Sequence, residues 1–179
     1  MLSPVADAYK DPAYRWGALT LMAALAGISI ALGAQHLGGL APCPLCLQQR
    51  YAYYAGIPVL FLGLALIGAD QRRNAAVVFL LVALAFFTNA GLGVYHAGAE
   101  WKFWPGPGSC AAGAAFTTDA QTSILERLKN VEVVRCDEAS WRFLGLSFAG
   151  WNVLLSIALC IGALQAAFFA QDKRVDTIA

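Results

Sequence analysis

Long apolar stretches without charge divide this chain into four segments. Asp, Glu, Lys and Arg are absent from residues 16–49, 51–69, 74–99 and 143–171. A helix needs about 20 apolar residues to cross roughly 30 Å of hydrocarbon, and the stretches lack the period-two alternation of membrane strands. The pattern therefore predicts four transmembrane helices, at about residues 16–35, 48–68, 75–96 and 145–170.

Composition favours a membrane protein over a soluble domain. Hydrophobic residues make up 59% of the 179 residues and charged residues only 13%, whereas soluble domains carry about 25% charged residues. The predicted fold class is therefore all-α, a polytopic four-helix membrane bundle. A net charge of +1 without a basic stripe gives no reason to expect a nucleic-acid partner.

Basic residues near the predicted helix ends indicate how the chain crosses the bilayer. One side collects Lys10, Arg15, Arg72, Arg73, Lys173 and Arg174. The other side has an uncharged turn at 36–47 and a long loop at about 97–144, where acidic residues outnumber basic ones. Because short basic segments stay in the cytoplasm, both termini are expected there, with residues 1–14 and 172–179 flanking a membrane domain of residues 15–171. The long loop then lies on the outer, non-cytoplasmic face.

The long loop has a pattern of its own. Ser123-Ile-Leu-Glu126 fits a capping box, and apolar residues follow it at helical spacing. This predicts a short amphipathic helix, which either lies on the membrane surface or packs on the bundle as an ordinary loop helix.

The strongest chemical signal is Pro-Cys-Pro-Leu-Cys at residues 42–46. Pro44 suits the first position of a helix, which makes Cys43 a plausible N-cap residue. Cys46 then lies in the first turn, near the positive end of the helix dipole, and Arg50 follows one turn later on the same face. Both features stabilise a thiolate, so Cys46 is expected to have a depressed pKa and to form a reversible disulfide with Cys43.

Cys110 and Cys136 form a second pair, in the long loop. The orientation above places them on the same outer face as Cys43 and Cys46, where an oxidising compartment favours their pairing. They either exchange electrons or staple the loop as a structural disulfide. Four cysteines could instead hold zinc, but structural zinc sites usually present two closely spaced pairs, so no metal is predicted. Cys160, deep in the fourth predicted helix, is expected to be an inert thiol.

Two further side chains suggest contact with a redox acceptor. Arg50 is the one charge between residues 16 and 69, and ionisable residues at membrane depth are usually functional. The alternative is that Arg50 snorkels to the headgroups. His96 and Glu100, four residues apart, could handle the protons that reduction of an organic acceptor consumes, or His96 could be an interfacial hydrogen-bonded histidine.

Together these residues resemble the disulfide bond formation protein B (DsbB) family. The matching residues are Pro42-Cys43-Pro44-Leu45-Cys46 with Arg50, Gly93 to Trp101, Gly108-Ser-Cys110, Cys136, and Trp141 to Asn152. The resemblance covers roughly residues 15–170 and all four predicted spans. One residue departs from the pattern, because Gln49 precedes the arginine where some members have an acid.

The resemblance implies a bacterial inner-membrane enzyme, a protein-disulfide:quinone oxidoreductase. It would reoxidise a periplasmic DsbA-like thiol oxidase and pass the electrons to ubiquinone or menaquinone in the lipid bilayer. The implied catalytic residues are Cys43, Cys46, Cys110 and Cys136, and the implied quinone-binding residues are Cys46, Arg50 and His96. By matching position, Cys110 would form the mixed disulfide with the thiol partner. Its loop mate Cys136 would exchange with Cys43, and Cys46 would face the quinone.

Two other functions stay open on the sequence. A vitamin K epoxide reductase-like enzyme also combines four membrane helices with a CxxC motif, although its motif is expected in the last helices rather than at the start of the second. A non-catalytic membrane protein with structural disulfides or a four-cysteine zinc site is the alternative from another class. Thiol titration and metal analysis of the pure protein would separate these possibilities.

Overall fold

The computed structural model describes residues 10–106 and 136–178, with side chains up to residue 172. The helices in these parts are α1 (Pro12–His36), α2 (Pro44–Gly68), α3 (Arg72–Glu100) and α4 (Phe148–Ile178). All four are long and apolar enough to cross a membrane, which confirms the predicted four-helix membrane bundle. Cys110 and the amphipathic helix predicted around residues 123–131 lie outside the described residues.

Helices α1 and α2 both begin four residues before the start that hydropathy predicted. Each starts with a proline behind a capping side chain, Asp11 for α1 and Cys43 for α2. Helix α3 also runs four residues beyond its predicted end, to Glu100. Hydropathy locates the lipid-embedded part of a helix, whereas the cap determines where the backbone hydrogen bonds begin. Helix α1 therefore starts within residues 1–14, which were expected to precede the membrane domain.

The helices form a ring in which α1 packs on α2, α2 on α3, α3 on α4, and α4 on α1. Short connections join the first three helices, as in an up-and-down bundle. The largest fully buried apolar side chains at the centre are Leu60, Phe79, Val82, Phe86 and Leu159. Exposed apolar side chains on the outside include Leu19, Met22, Phe61, Phe87 and Phe168. Lipid is the solvent that tolerates such a surface.

Glycines allow α1 and α4 to approach closely. A Cβ atom on Gly162 would collide with Oγ1 of Thr20, and a Cβ atom on Gly27 would collide with the side chain of Leu155. Close backbone approach is a main source of helix association in lipid, where no hydrophobic effect drives it. Gly27 and Leu155 also line the cavity described below, so this contact shapes the functional end of the bundle.

A small hairpin leads into α4. Strand β1 (Arg142–Phe143) pairs antiparallel with β2 (Leu146–Ser147). Leu144 and Gly145 connect them with positive φ angles of 51° and 83°, as in the type I′ turn that fits the twist of a hairpin. Hydropathy did not predict this hairpin, because strands of two residues carry no detectable alternation.

Candidate dithiol redox site

The two cysteines of the CxxC segment lie at the start of α2. Cys43 is the N-cap residue, as predicted, and its Sγ accepts a hydrogen bond from the Cys46 backbone N–H at 3.3 Å. The two sulfur atoms lie 3.1 Å apart, and both residues are free thiols. Cys43 is buried and Cys46 is partly exposed. The local geometry therefore presents a reduced pair in which one sulfur points inward and the other is accessible.

The stabilised thiolate belongs to Cys43. The hydrogen bond with the Cys46 side chain lowers the pKa of the Cys43 thiol to about 4; burial opposes this shift, and His96 adds to it. The sequence predicted the thiolate at Cys46 instead, and that prediction is wrong. The helix start stabilises the sulfur that caps it, because the cap atom is the one that receives the N–H groups of the first turn.

His96 lies against the inner cysteine. Its Nε2 is 3.5 Å from Cys43 Sγ and 3.7 Å from Glu100 Oε1, and its Nδ1 is 2.8 Å from Gln49 Nε2. His96 and Glu100 are both buried, and within residues 10–106 and 136–172 no hydrogen-bond partner is found for Oε2 of Glu100. His96 is not among the described residues that line the cavity beside Cys46. Its expected contact with a quinone stays a prediction, whereas its contact with Cys43 is observed.

A polar network extends from this histidine into the bundle. Its members come from α2, α3 and α4: Gln49, Tyr53, Asn89, His96, Asn152 and Ser156. The Asn152 amide donates to Gln49 Oε1 at 2.6 Å, and the Tyr53 hydroxyl donates to Asn152 Oδ1 at 2.8 Å. Asn89 donates to Ser156 Oγ at 3.0 Å. Because unsatisfied polar groups are costly at membrane depth, this network keeps its members in a defined arrangement.

A cavity of about 530 Å³ lies beside Cys46, between α1, α2 and α4. Arg50 lines it together with Cys46, and its guanidinium donates to Gln35 Oε1 and to the Ala31 carbonyl at 3.4 Å. Exposed Ile30 is also part of the wall, so the cavity opens on the side of the bundle. Arg50 is thus a half-buried cation on the wall of a mostly apolar cavity, held there by two hydrogen bonds to α1.

Aromatic side chains from the hairpin and from α4 surround the outer part of the cavity. Trp141, Phe143, Phe148 and Trp151 all line it. Trp141 and Phe143 stack with their ring centroids 5.7 Å apart and their planes 2° apart. Trp151 is tied to the hairpin because its indole Nε1–H donates to the Phe143 carbonyl at 3.1 Å. The hairpin therefore holds a wall of flat, apolar surfaces suited to a ring-shaped ligand.

Cys136 lies at the same end of the bundle as the CxxC pair. It is buried and belongs to a small apolar cluster with Cys43 and Leu45. Cys136 is disulfide-bonded. The next residue in the chain, Asp137, is held by Lys102, whose Nζ is 2.9 Å from its carboxylate. The structure thus brings together three of the four predicted cysteines, and the fourth, Cys110, lies outside the described residues.

The sulfur and nitrogen donors of the site lie close enough to consider a metal. The ligand atoms of Cys43, Cys46 and His96 are all within 4.8 Å of one another. A four-cysteine zinc site would need Cys136 as a thiolate, which its disulfide rules out in this state. Cys160 is remote, since it packs against the hydrophobic core of the bundle.

Several of these side chains were not predicted from the sequence. Gln49 was noted only as a departure from a family pattern, and Gln35, Asn152 and the hairpin aromatics were not assigned any role. The sequence feature that could have identified the amides is their position inside otherwise uncharged helices, because Asn and Gln side chains are costly in lipid unless they are hydrogen-bonded. That feature marks the residues as paired but does not identify the partners.

The fold is that of a multi-pass membrane protein, and its cysteine centre is a CxxC dithiol at one end of the bundle. The family described as "Disulfide bond formation protein DsbB" matches residues 14–166, which is most of the chain. The chain belongs to the DsbB family. This assignment favours the disulfide-forming class over the vitamin K epoxide reductase-like alternative.

Individual relatives agree with the family match. "Disulfide bond formation protein B" of Verminephrobacter eiseniae is 32% identical over 163 residues, which cover 88% of this chain and 86% of the relative. The protein of the same description from Aromatoleum aromaticum is 32% identical over 166 residues, covering 88% and 93%. That of Xanthomonas oryzae pv. oryzae is 30% identical over 171 residues, covering 88% and 95%. No solved structure matches the chain.

Proposed function

We propose that this protein reoxidises a periplasmic DsbA-like dithiol protein and passes the electrons to a membrane quinone, ubiquinone or menaquinone. The observation that carries the proposal is that Cys46 belongs both to the dithiol pair and to the wall of the cavity. Its sulfur lies 3.1 Å from Cys43 Sγ, and the same residue lines the cavity that holds Arg50. One side chain therefore connects the thiol chemistry to a site for a lipid-soluble acceptor.

Electrons would enter through the loop cysteines. The partner's dithiol would reduce the disulfide of Cys110 and Cys136, with Cys110 in the mixed disulfide, so that the partner leaves as a disulfide. The Cys136 thiolate would then attack the sulfur of Cys43 and release Cys46, and the Cys110 thiolate would in turn attack Cys136, which re-forms the loop disulfide and releases Cys43. The packing of Cys136 against Cys43 in one buried cluster supports this second step.

The cavity has features that suit a quinone. Its walls are mostly apolar and aromatic, its volume of about 530 Å³ lies within the range of small-molecule sites, and Arg50 supplies N–H donors for a carbonyl oxygen. A bound quinone would supply an acceptor for two electrons and two protons. Cys46 and Arg50 would be the residues that hold and orient it.

Cys43 would complete the reaction. As a thiolate 3.1 Å from Cys46 Sγ, it is placed to attack that sulfur once Cys46 has given up its electron pair, which closes the disulfide. Because Cys43 is already a thiolate, the pair loses two electrons and the one proton of Cys46, and the second proton of the quinol would come from water. His96 and Glu100, buried beside Cys43, are the groups positioned to pass on a proton.

The proposed location is the bacterial inner membrane, with the dithiol site on the periplasmic side. Arg72 and Arg73 begin α3 at the opposite end of the bundle from the start of α2, as the positive-inside rule requires of a cytoplasmic end. Residues 15–171 would form the membrane domain, with both termini in the cytoplasm.

The test is the variant Cys46→Ser in an anaerobic mixture of pure protein, reduced DsbA-like protein and quinone. Quinol formation, followed by absorbance, is expected to stop, while a mixed disulfide through Cys110 accumulates on a non-reducing gel. Cys160→Ser is the matched control and should keep full activity, since Cys160 packs in the core. Continued quinol formation by Cys46→Ser would show that electrons reach the quinone by another route.

A further inference from the structure

Gln49 occupies a central place in the polar network, directly after the CxxC segment. It is buried, its Nε2 is 2.8 Å from His96 Nδ1, and its Oε1 accepts from Asn152 Nδ2 at 2.6 Å. Both ends of one amide are therefore engaged, one with a residue of α3 and the other with a residue of α4. A side chain held at both ends can impose a hydrogen-bond direction on its neighbours.

The network determines which way the Gln49 amide points. Asn152 Oδ1 accepts from the Tyr53 hydroxyl at 2.8 Å and from Asn89 Nδ2 at 3.4 Å. Asn152 therefore has its NH₂ group left for Gln49, and Gln49 must present its oxygen to that group. The NH₂ of Gln49 then faces His96 Nδ1. Rotating the Gln49 amide by half a turn would set two NH₂ groups against each other.

This direction determines the tautomer of His96. A neutral imidazole has one N–H and one acceptor nitrogen, and Nδ1 accepts from Gln49. The ring proton must then be on Nε2, which lies 3.5 Å from Cys43 Sγ. We propose that Gln49 is a positioning residue that holds His96 in the Nε2–H tautomer, so that the imidazole donates to the Cys43 sulfur.

The proposal also accounts for the metal question. In this tautomer the His96 nitrogen that faces Cys43 carries a proton and offers no lone pair to a metal ion, although the ligand atoms of Cys43, Cys46 and His96 lie within 4.8 Å of one another. A carboxylate at position 49 would accept from Nδ1–H and release the Nε2 lone pair, which is the arrangement typical of metal-binding histidines.

The decisive measurement is the position of the ring proton, read by nitrogen NMR of the full-length reduced protein in micelles. The chain has two histidines, so ¹⁵N-labelled histidine in a His36→Gln background reports on His96 alone. We expect a protonated Nε2 and an unprotonated Nδ1. The variant Gln49→Glu should place a proton on Nδ1, whereas the neighbouring exposed Gln48→Glu should leave the spectrum unchanged.

Two results would overturn the proposal. One is a proton on Nδ1 in the parent protein, which decides the matter even when Gln49→Glu does not fold. The other is a Gln49→Glu spectrum identical to that of the parent. Neither readout needs turnover, so they are independent of whether a quinone is the acceptor.

The consequence for catalysis rests on the proposed function. Gln49→Met keeps the side-chain length but offers His96 no donor, so the ring loses its orienting hydrogen bond. With quinone saturating, kcat is expected to fall by up to about tenfold, the range for one neutral hydrogen bond. Gln49 also lines the cavity, but its amide is engaged by His96 and Asn152, so the quinone KM should change less than kcat. Gln48→Met is the control. A raised quinone KM with unchanged kcat would instead place Gln49 at the acceptor site.

Discussion

Helices α1 and α2 begin with the same local structure and differ in chemistry. In each, a proline follows a residue whose side chain accepts a backbone N–H of the first turn. In α1 the cap is the Asp11 carboxylate, which forms a 2.7 Å ion pair with Arg72. In α2 the cap is the Cys43 sulfur, which contacts Cys46 and His96. A helix start stabilises an anion in both places, and the neighbours decide whether that anion is structural or reactive.

The two starts also lie at opposite ends of the bundle. The carboxylate cap ties α1 to the start of α3 through Arg72, so its partner is a fixed cation. The thiolate cap has as partners a second thiol and a polarisable imidazole, and it lies beside Cys136. The comparison predicts that changes at Asp11 affect stability alone, whereas changes at Cys43 affect chemistry alone as long as the cap is kept.

The largest expected effect is that of Cys43→Ser. Thiol-dependent quinone reduction should fall to the uncatalysed background, because a hydroxyl can neither exchange with a disulfide nor form one. Below about pH 4, where the parent Cys43 is also uncharged, stability should change by less than about 1 kcal/mol, because serine is a strong N-cap residue. Cys43→Ala loses both the disulfide exchange and the N-cap, so it should unfold at a lower denaturant concentration than Cys43→Ser. Equal unfolding of the two variants in a denaturant titration would show that the cap has no role in stability.

The next effect concerns Arg50, the cation on the cavity wall. Arg50→Met should raise the quinone KM by about ten- to a hundredfold, the range for loss of a hydrogen bond from a charged group. The rate of exchange between the loop cysteines and the thiol partner should not change. Steady-state kinetics with varied quinone measures both quantities. Arg73→Met, at the exposed start of α3, is the matched control; an unaltered KM in Arg50→Met would remove Arg50 from the acceptor site.

The thiolate cap also predicts a pH dependence. With a pKa of about 4 in place of the ordinary 9.0, the Cys43 thiolate contributes stability that is complete above about pH 9 and disappears as the pH falls through about 4. Ultraviolet thiolate absorbance of the reduced protein should accordingly decline near pH 4. Cys46→Ala should move this transition to higher pH, because it removes the largest cause of the shift. A transition that stays in place would contradict the assigned cause.

The smallest effect should come from the structural cap. Asp11→Ala is expected to cost about 1–2 kcal/mol of unfolding free energy, since it removes an N-cap and a partner of Arg72, and quinone reduction should be unchanged. Asp70 is the other carboxylate paired with Arg72, and the Asp70 side chain is 86% exposed. Asp70→Ala should therefore lower the free energy of unfolding by less than about 0.5 kcal/mol. Equal losses in both variants would show that the cap adds nothing.

Features that depend on local sequence were predicted well. The four spans follow from uncharged length, and the capping role of Cys43 follows from the proline after it. The thiolate was assigned to the wrong cysteine although the largest cause of the pKa shift, the hydrogen bond between the Cys43 and Cys46 side chains, is local. Only the smaller contribution, that of His96, comes from a residue 53 positions away. The hairpin aromatics were missed because only the fold carries them to the cavity beside Cys46.

By itself the sequence determined a membrane bundle with a capped CxxC at one helix start and an arginine one turn later, because hydropathy, capping and helical spacing act over a few residues. Only the tertiary structure decided where the cavity lies, that His96 reaches the Cys43 sulfur, and how Gln49 is oriented. Those properties depend on contacts between helices, such as that of Gln49 with Asn152, 103 residues apart. No local pattern encodes such a contact, because it exists only once packing has excluded water and lipid from the two amides.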